Sequence, residues 1–140
     1  MPDLLAGVEI VVRLLRTGER LPDKFRPDPV IDVLQLDPEW VWVAERDGQV
    51  IGFIVAADCH KVVHVLRATI DPAAPRASLL IMLRQFFADC RTRGAIGFFS
   101  YFNMDRADER QLARIVSRIG GRVLFESDLC VGAPLPKEGT

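Results

Sequence analysis

The sequence of 140 residues has few cysteines, and their placement excludes several kinds of protein. Cys59, Cys90 and Cys130 match neither the spacing of a zinc ligand pair nor that of a redox motif. An odd number of widely separated cysteines is also unlike the disulfide framework of a small secreted domain. The first residues show no basic segment followed by an apolar stretch, which a secretion signal would need. We therefore expect buried, unreactive thiols and a cytoplasmic protein.

The chain also lacks a strong charge of one sign and a long hydrophobic run. With 18 basic and 19 acidic residues the net charge is −1, so no global field attracts nucleic acid or an anionic membrane. No apolar run approaches the roughly 20 residues that cross a bilayer. Hydrophobic residues make up 49% of the chain, which is ordinary globular usage. The sequence predicts one domain over residues 1–133, a tail over 134–140, and no nucleic-acid or membrane partner.

Lysine is scarce as well, since Lys24, Lys61 and Lys137 are the only lysines beside many arginines. An arginine excess has two interpretations, recognition of phosphates or carboxylates and a genome that favours arginine codons. The arginines are scattered along the chain, which favours the second. The two histidines, His60 and His64, are four residues apart, a spacing that suits a metal only on a helix. They lie among valines in a predicted strand, so no metal site is predicted.

The first half of the chain predicts two helices and then three strands. The apolar spacing from Asp3 to Arg16 is helical, and Gly18 follows its end. A proline-rich loop over 19–29 precedes a second short helix over 30–36. Apolar residues then recur at every second position, which is typical of strands. Asp47-Gly48 between two such β-rich runs is typical of a type I′ hairpin turn. The predicted strands of this antiparallel meander are 40–46, 49–57 and 62–70.

The second half alternates helices with strands. The break at residues 71–76 is followed by a predicted helix over 77–91, a strand over 95–102, a helix over 105–119 and a strand over 122–131. Such alternation implies right-handed crossovers onto a mixed sheet. The predicted class is α/β (α+β), with a single mixed β-sheet, an N-terminal antiparallel meander and helices on both faces.

The order of elements and the stretch from Ile70 to Leu80 resemble the GNAT superfamily of acyl-CoA N-acyltransferases. Ile70 and Pro72 match the end of the family's central strand, and Arg76 stands one place after its arginine. The resemblance implies transfer of an acetyl group from acetyl-CoA to an amine. It implies that the cofactor is held by the strand end and the next helix start, at Ile70, Arg76, Ala77, Ser78 and Leu79.

The sequence departs from the family pattern at two places. Ser78 and Leu80 stand where the family has glycines that allow backbone amides to approach a pyrophosphate. Val116 stands at the place of the family's tyrosine, and a valine cannot transfer a proton. The single tyrosine, Tyr101, lies near the end of the aromatic strand. It is a candidate general acid, although a core residue with its hydroxyl at the edge is the favoured interpretation.

A base that deprotonates an amine would come from the meander strands. Glu45, Asp58 and His64 are the candidates there. Each also has a structural interpretation: Glu45 as a solvated residue before the turn, Asp58 as a turn cap, and His64 as a core histidine. The structural interpretation is favoured for all three.

Three functional interpretations stay open. The first is an N-acetyltransferase that uses acetyl-CoA and an amine acceptor. The second is a catalytically inactive GNAT-like binding or structural protein, part of an assembly or virion. The third is an unrelated α/β domain with the same order of elements. Trp40 and Trp42 are expected to be exposed, which makes a homodimer worth testing.

Overall fold

The computed structural model describes residues 9–25, 36–75, 77–102, 107–118, 122–125 and 129–134. Within these residues seven strands form one sheet with the order β1-β2-β3-β4-β5-β7-β6. Two helices accompany the strands, α1 at Ser78–Thr92 and α2 at Ala107–Arg118. The strands are β1 (Val11–Leu14), β2 (Val41–Arg46), β3 (Gln49–Cys59), β4 (Val62–Ile70), β5 (Gly97–Phe102), β6 (Arg122–Phe125) and β7 (Leu129–Pro134).

The sheet is mixed, as the alternation of helices and strands predicts. β1 with β2, β2 with β3, β5 with β7 and β6 with β7 pair antiparallel, whereas β4 and β5 pair parallel. The strand order keeps β2, β3 and β4 adjacent, so the predicted meander is confirmed. The predicted α+β class with one mixed sheet is confirmed too. None of the helices in the described ranges is long and apolar enough to cross a membrane.

The chain packs as two compact units, one of residues 1–56 with 67–86 and one of residues 57–66 with 87–140. The prediction of one domain over residues 1–133 stays a prediction. In the first unit an aromatic core forms around Trp42, whose ring meets Phe86 of α1 edge-on at 4.7 Å between centroids. Trp42 is fully buried and Trp40 half-buried. The expectation of an exposed tryptophan pair is therefore wrong for Trp42, because that ring fills the core beneath α1.

The predicted first helix is wrong over the residues where it can be compared. Val11–Leu14 is strand β1. It pairs antiparallel with β2, with Val11 opposite Glu45 and Leu14 opposite Trp42. The β-branched pair Val11 and Val12 favours a strand, and the gain from pairing with β2 outweighs the helical spacing of the leucines and valines. Residues 1–8 and most of the predicted helix over 30–36 lie outside the described residues.

The Asp47-Gly48 turn has the predicted geometry. Both residues have positive φ, 53° at Asp47 and 77° at Gly48, as a type I′ turn requires. The register then shifts between Ala44 and Glu45, which pair with Gly52 and Val50 and leave Ile51 as an extra residue on β3. This bulge turns the end of the hairpin without ending the pairing.

In the second unit Phe87 of α1 packs on Phe98 of β5 with ring centroids 4.8 Å apart. Cys90 is fully buried, and this burial raises the pKa of its thiol to about 12. The expectation of a buried, unreactive thiol is confirmed for Cys90, whereas the side chains of Cys59 and Cys130 lie outside the described residues.

Gly94 lies just after the end of α1. The amide of Gly94 donates to Arg91 and the amide of Ala95 to Cys90, both at 3.0 Å. With φ of +92° at Gly94, these bonds form a Schellman motif that satisfies the last carbonyl groups of the helix.

The predicted last strand over 122–131 is in fact two strands. β6 and β7 pair antiparallel with each other, and β7 lies between β5 and β6. β7 ends at Pro134, one residue into the predicted tail. A continuous apolar run does not distinguish one strand from a short hairpin, since both bury alternate residues.

Three charged side chains tie β1 to β2 in the first unit. The guanidinium of Arg13 donates to both carboxylate oxygens of Glu19 at 2.8 Å and also to Glu45 across the strand pair. Only about a fifth of each side chain is exposed. The hydrogen bonds from Arg13 lower the pKa of Glu19 to about 2.

Acid stability is expected to depend on this cluster. Because Glu19 has a folded-state pKa below its ordinary 4.5, its contribution is complete above pH 4.5 and lost as pH falls toward 2. Arg13→Met should return the pKa of Glu19 toward 4.5, as NMR titration of the carboxyl group would measure. The associated loss in unfolding free energy should be about 1–2 kcal/mol near neutral pH, because partial exposure screens the pair.

The matched control is Arg16→Met, which removes an exposed guanidinium from the same segment and leaves Arg13 in place. Its effect on the pKa of Glu19 should be small, since Arg16 donates to Glu19 through its backbone amide. Equal pKa values in the two variants would contradict the assignment of the shift to Arg13.

Gly52 of β3 provides a second test of the first unit. A Cβ at this position would lie 2.8 Å from the carbonyl oxygen of Thr69 and would overlap the side chain of Ile70. Gly52→Ala should therefore lower the unfolding free energy by about 1–3 kcal/mol, the usual range for overpacking. Urea denaturation measures it against Gly48→Asn, which places a side chain in open space at a turn position that asparagine tolerates. Equal stability of the two variants would show that β4 does not press on Gly52.

Candidate active site at the end of the fourth strand

The first half of β4 directs the backbone groups of its odd-numbered residues toward β5. The carbonyl of Lys61, just before the strand, accepts from the amide of Ile96 at 2.9 Å. The carbonyl of Val65 accepts from the hydroxyl of Ser100 at 3.1 Å. Backbone groups alternate between the two edges of a strand, so residues 61, 63 and 65 face β5.

The other end of β4 has the opposite phase. The amide of Asp71 donates to the carbonyl of Ile51 at 2.7 Å, and the carbonyl oxygen of Thr69 lies against Gly52. Ile51 and Gly52 both belong to β3, so the odd-numbered residues at this end of β4 face β3. A strand reverses this alternation only where it contains an extra residue. β4 therefore has a β-bulge between Val65 and Thr69.

The turn between β3 and β4 leads to the same conclusion independently. His60 and Lys61 both have positive φ, 53° and 68°, as in a two-residue type I′ turn, which makes Cys59 and Val62 opposite partners. Continued without interruption, that register would not place Asp71 opposite Ile51. The observed hydrogen bond requires one residue more on β4 than on β3.

The bulge leaves part of β4 with an open edge. The parallel pairing with β5 begins with Val62 opposite Gly97. Among the described residues it ends with Val65 opposite Ser100. β4 continues to Ile70, whose backbone amide and carbonyl point away from β3 because Thr69 faces β3. Among the described residues these two groups of Ile70 have no partner on β5, at the position where Ile70 was predicted to bind a ligand.

Two consecutive turns connect this edge to α1. The carbonyl of Asp71 accepts from the amide of Ala74 at 2.9 Å, and one oxygen of its carboxylate accepts from the amide of Ala73 at 2.9 Å. The amide of Ser78 then donates to the carbonyl of Pro75 at 3.0 Å. These bonds keep the strand end and the helix start close together in the first unit.

The helix start has the electrostatics of an anion site. The carbonyl of Ala77 accepts the amide of Ile81 at 3.0 Å, so the helical bonds begin at Ala77. The amides of the next residues have no acceptor inside the helix, which gives this end a partial positive charge. Ala77 and Leu79 are half-buried, and Arg76 lies outside the described residues.

Ser78 differs from the other predicted binding residues. It is fully buried, and its amide donates to the carbonyl of Pro75. Its hydroxyl has no hydrogen-bond partner among the described residues. A buried hydroxyl without a partner costs about 1–3 kcal/mol. Ile70, Ala77 and Leu79 are thus half-buried residues on either side of the two turns in the first unit, whereas Ser78 is fully buried.

Lys24 adds a positive charge beside this site, which the sequence did not indicate. Its ammonium group binds the carboxylate of Asp71 at 2.9 Å and lies 5.3 Å from the centre of the Phe25 ring. Phe25 in turn meets Phe53 of β3 edge-on at 5.1 Å. The short segment Asp23–Phe25 is thus attached to Asp71, just after β4, by an ion pair and to β3 by an aromatic contact.

The three candidate bases have different surroundings. Glu45 is half-buried and bonded to Arg13, so it is not the freely solvated residue that was expected. Asp58 is exposed beside the two-residue turn. His64 is half-buried and stacks on Phe99 at 4.4 Å between ring centres, and burial lowers the pKa of its imidazole.

The candidate acid is described only by its backbone. Tyr101 lies in β5 opposite Cys130 of β7. The side chains of Tyr101 and Val116 lie outside the described residues. Tyr101 as general acid stays a prediction. Among the described residues no three side chains of the types His, Cys, Asp and Glu come together as in a metal centre.

The Lys24–Asp71 pair is expected to contribute to the low pKa of Asp71. The amide of Ala73 and then the ammonium of Lys24 hold the pKa of Asp71 below its usual range. Lys24→Met should raise that pKa but leave it below the ordinary value of 3.8, because the bond from Ala73 remains. NMR titration of the carboxyl carbon measures the change, with Lys61→Met as a control that removes an exposed lysine elsewhere. A pKa of Asp71 unchanged in Lys24→Met would contradict the ion pair.

Known proteins share this architecture. A family model described as an acetyltransferase (GNAT) domain matches residues 35–123. No sequence in a collection of curated proteins matches the chain.

Three solved structures show the same fold at low sequence identity. Ard1 from Thermoplasma volcanium has a TM-score of 0.71 and 15% identity, over 93% of this chain and 100% of that one. Diaminobutyrate acetyltransferase EctA from Paenibacillus lautus, in complex with its substrate and coenzyme A, has a TM-score of 0.61 and 15% identity, over 91% and 95%. The PaiA N-acetyltransferase from Thermoplasma acidophilum, in complex with coenzyme A, has a TM-score of 0.58 and 16% identity, over 67% of this chain and 59% of that one.

The family match covers more than half of the chain, including the bulged strand and the helix that begins after it. The solved structures share the fold around the same elements. The resemblance inferred from Ile70, Pro72 and Arg76 is confirmed: the chain belongs to the GNAT acetyltransferase family.

Proposed function

We propose that this protein transfers an acetyl group from acetyl-CoA to an amine. The observation that carries the proposal is the open edge of β4 after its bulge, directly followed by the helix start at Ala77. An open strand edge suits an extended amide-containing chain, and a helix start suits phosphate groups. Coenzyme A combines both, and two of the structurally similar acetyltransferases were solved with it.

The residues of this chain would divide the binding between them. The backbone of Ile70 would hydrogen-bond the amide-containing arm, and the amides at Ala77 and Leu79, with the side chain of Arg76, would hold the phosphates. Bound acetyl-CoA supplies an acyl group already activated as a thioester. The chain then has to align an amine with that carbonyl and offer backbone N–H groups to the oxygen that gains negative charge. A thiolate is a good leaving group, so Tyr101 as a proton donor would add to the rate without being indispensable.

A second function also has support in the structure. Ser78 is buried and its amide already bonded, so one of the predicted phosphate contacts is used within the fold. This observation favours a GNAT-like protein that serves as a binding or structural component without CoA chemistry. The two functions differ in one measurable property, which is the affinity for acetyl-CoA.

Calorimetric titration with acetyl-CoA decides between them. We expect binding at micromolar to submillimolar ligand, and Arg76→Ala should weaken it by about tenfold, a common size for one charge-assisted contact. The matched control is Arg84→Ala, which removes an exposed arginine within α1. Release of free thiol from acetyl-CoA in the presence of amino acid, polyamine or peptide amines then tests the transfer.

Absence of heat at millimolar acetyl-CoA would reject the proposal and favour the non-catalytic function. Binding that responds equally to Arg76→Ala and Arg84→Ala would place the phosphates elsewhere. Ser78→Ala gives a further check, because removing a buried hydroxyl that has no partner among the described residues should leave affinity unchanged and stability equal or higher.

A further inference from the structure

Ser100 of β5 makes a buried contact that strand pairing alone does not require. Its hydroxyl donates to the carbonyl of Val65 in β4 at 3.1 Å. Ser100 is 6% exposed and Val65 7% exposed, so the bond is shielded from water. The two residues also form the last parallel pair of the β4–β5 ladder. A side-chain hydrogen bond therefore reinforces the pairing at the point where the ladder stops.

This bond fixes the orientation of one particular peptide group. The carbonyl of Val65 and the amide of Leu66 belong to the same planar unit and point in opposite directions. When Ser100 holds the carbonyl toward β5, the amide of Leu66 must point the other way. The bulge begins after this peptide. The orientation of the peptide therefore determines which backbone groups of the following residues face β3 and which face β5.

β5 is a firm base for this contact. Each residue from Gly97 to Phe102 has a partner on β7, and Ser100 itself is opposite Val131. Strand β5 is therefore held on its far side along its whole length. The hydroxyl of Ser100 can therefore fix the carbonyl of Val65 relative to β5.

We propose that Ser100 is a positioning residue for the acyl donor: its bond to Val65 fixes how β4 enters the bulge and so which backbone groups reach the open edge. This inference rests on the proposed function, because it assigns the open edge to acetyl-CoA. Ser100 is not a catalytic residue, since it acts through the backbone of β4. A hydroxyl is required, whereas an apolar residue of similar size would leave the peptide less constrained.

The experiment compares Ser100→Ala with Ser100→Thr, which keeps the hydroxyl. Thr92→Val is the matched control, because it removes a hydroxyl that donates to a backbone carbonyl, that of Ala88, on α1. Acetyl-CoA affinity is measured by calorimetry below the unfolding temperature of every variant. Amide hydrogen exchange at Leu66, in the protein without ligand, reports the peptide orientation directly.

We expect Ser100→Ala to raise the Kd for acetyl-CoA by about tenfold, the effect of losing about one buried hydrogen bond, and to speed exchange at Leu66. Ser100→Thr should restore both, and Thr92→Val should change neither. Wild-type affinity in Ser100→Ala would overturn the inference and leave the proposed function intact. So would a loss of affinity that Ser100→Thr does not restore. Failure of the wild-type protein to bind acetyl-CoA would overturn the proposed function, and this inference with it.

Discussion

The extra residue in β4 is the constraint on which the candidate site depends. Up to Val65 the strand has β5 as its neighbour, and from Thr69 onward its backbone has the opposite phase. An uninterrupted strand would direct the same set of groups toward β5 along its whole length and would leave Ile70 facing β3. One inserted residue separates the structural half of the strand from the half that can bind a ligand. The site is thus made by main-chain geometry rather than by a cluster of reactive side chains.

That origin explains which parts of the molecule could be predicted from the sequence. The Asp47-Gly48 turn, the meander and the helix beginning after Pro75 depend on local preferences, and local preferences can be read from the residues. The match of Ile70 and Pro72 to the family likewise concerns neighbours in the chain. The strand at Val11–Leu14 was missed because pairing with β2 outweighs the helical spacing of the same residues.

The remaining features depend on contacts between distant residues, for which the sequence carries no pattern. Lys24 meets Asp71 and Ser100 meets Val65 only because the fold brings them together. The bulge has no glycine or proline to mark it, since the residues after Val65 are of ordinary strand type. The burial of Ser78 was equally hidden, because a serine at a helix start usually caps the helix from an accessible position.

The two-residue turn at His60-Lys61 restricts where the chain tolerates changes in length. One residue added there and taken up by the strand, rather than by a longer loop, would shift β4 against β3 and exchange its two faces, so that Val63 and Val65 would leave the core. A longer loop is the ordinary way for a surface hairpin to vary during evolution, yet here a shift of the strand would also displace the bulge from the edge that it opens. The length of this hairpin is therefore more tightly constrained than the identity of its side chains.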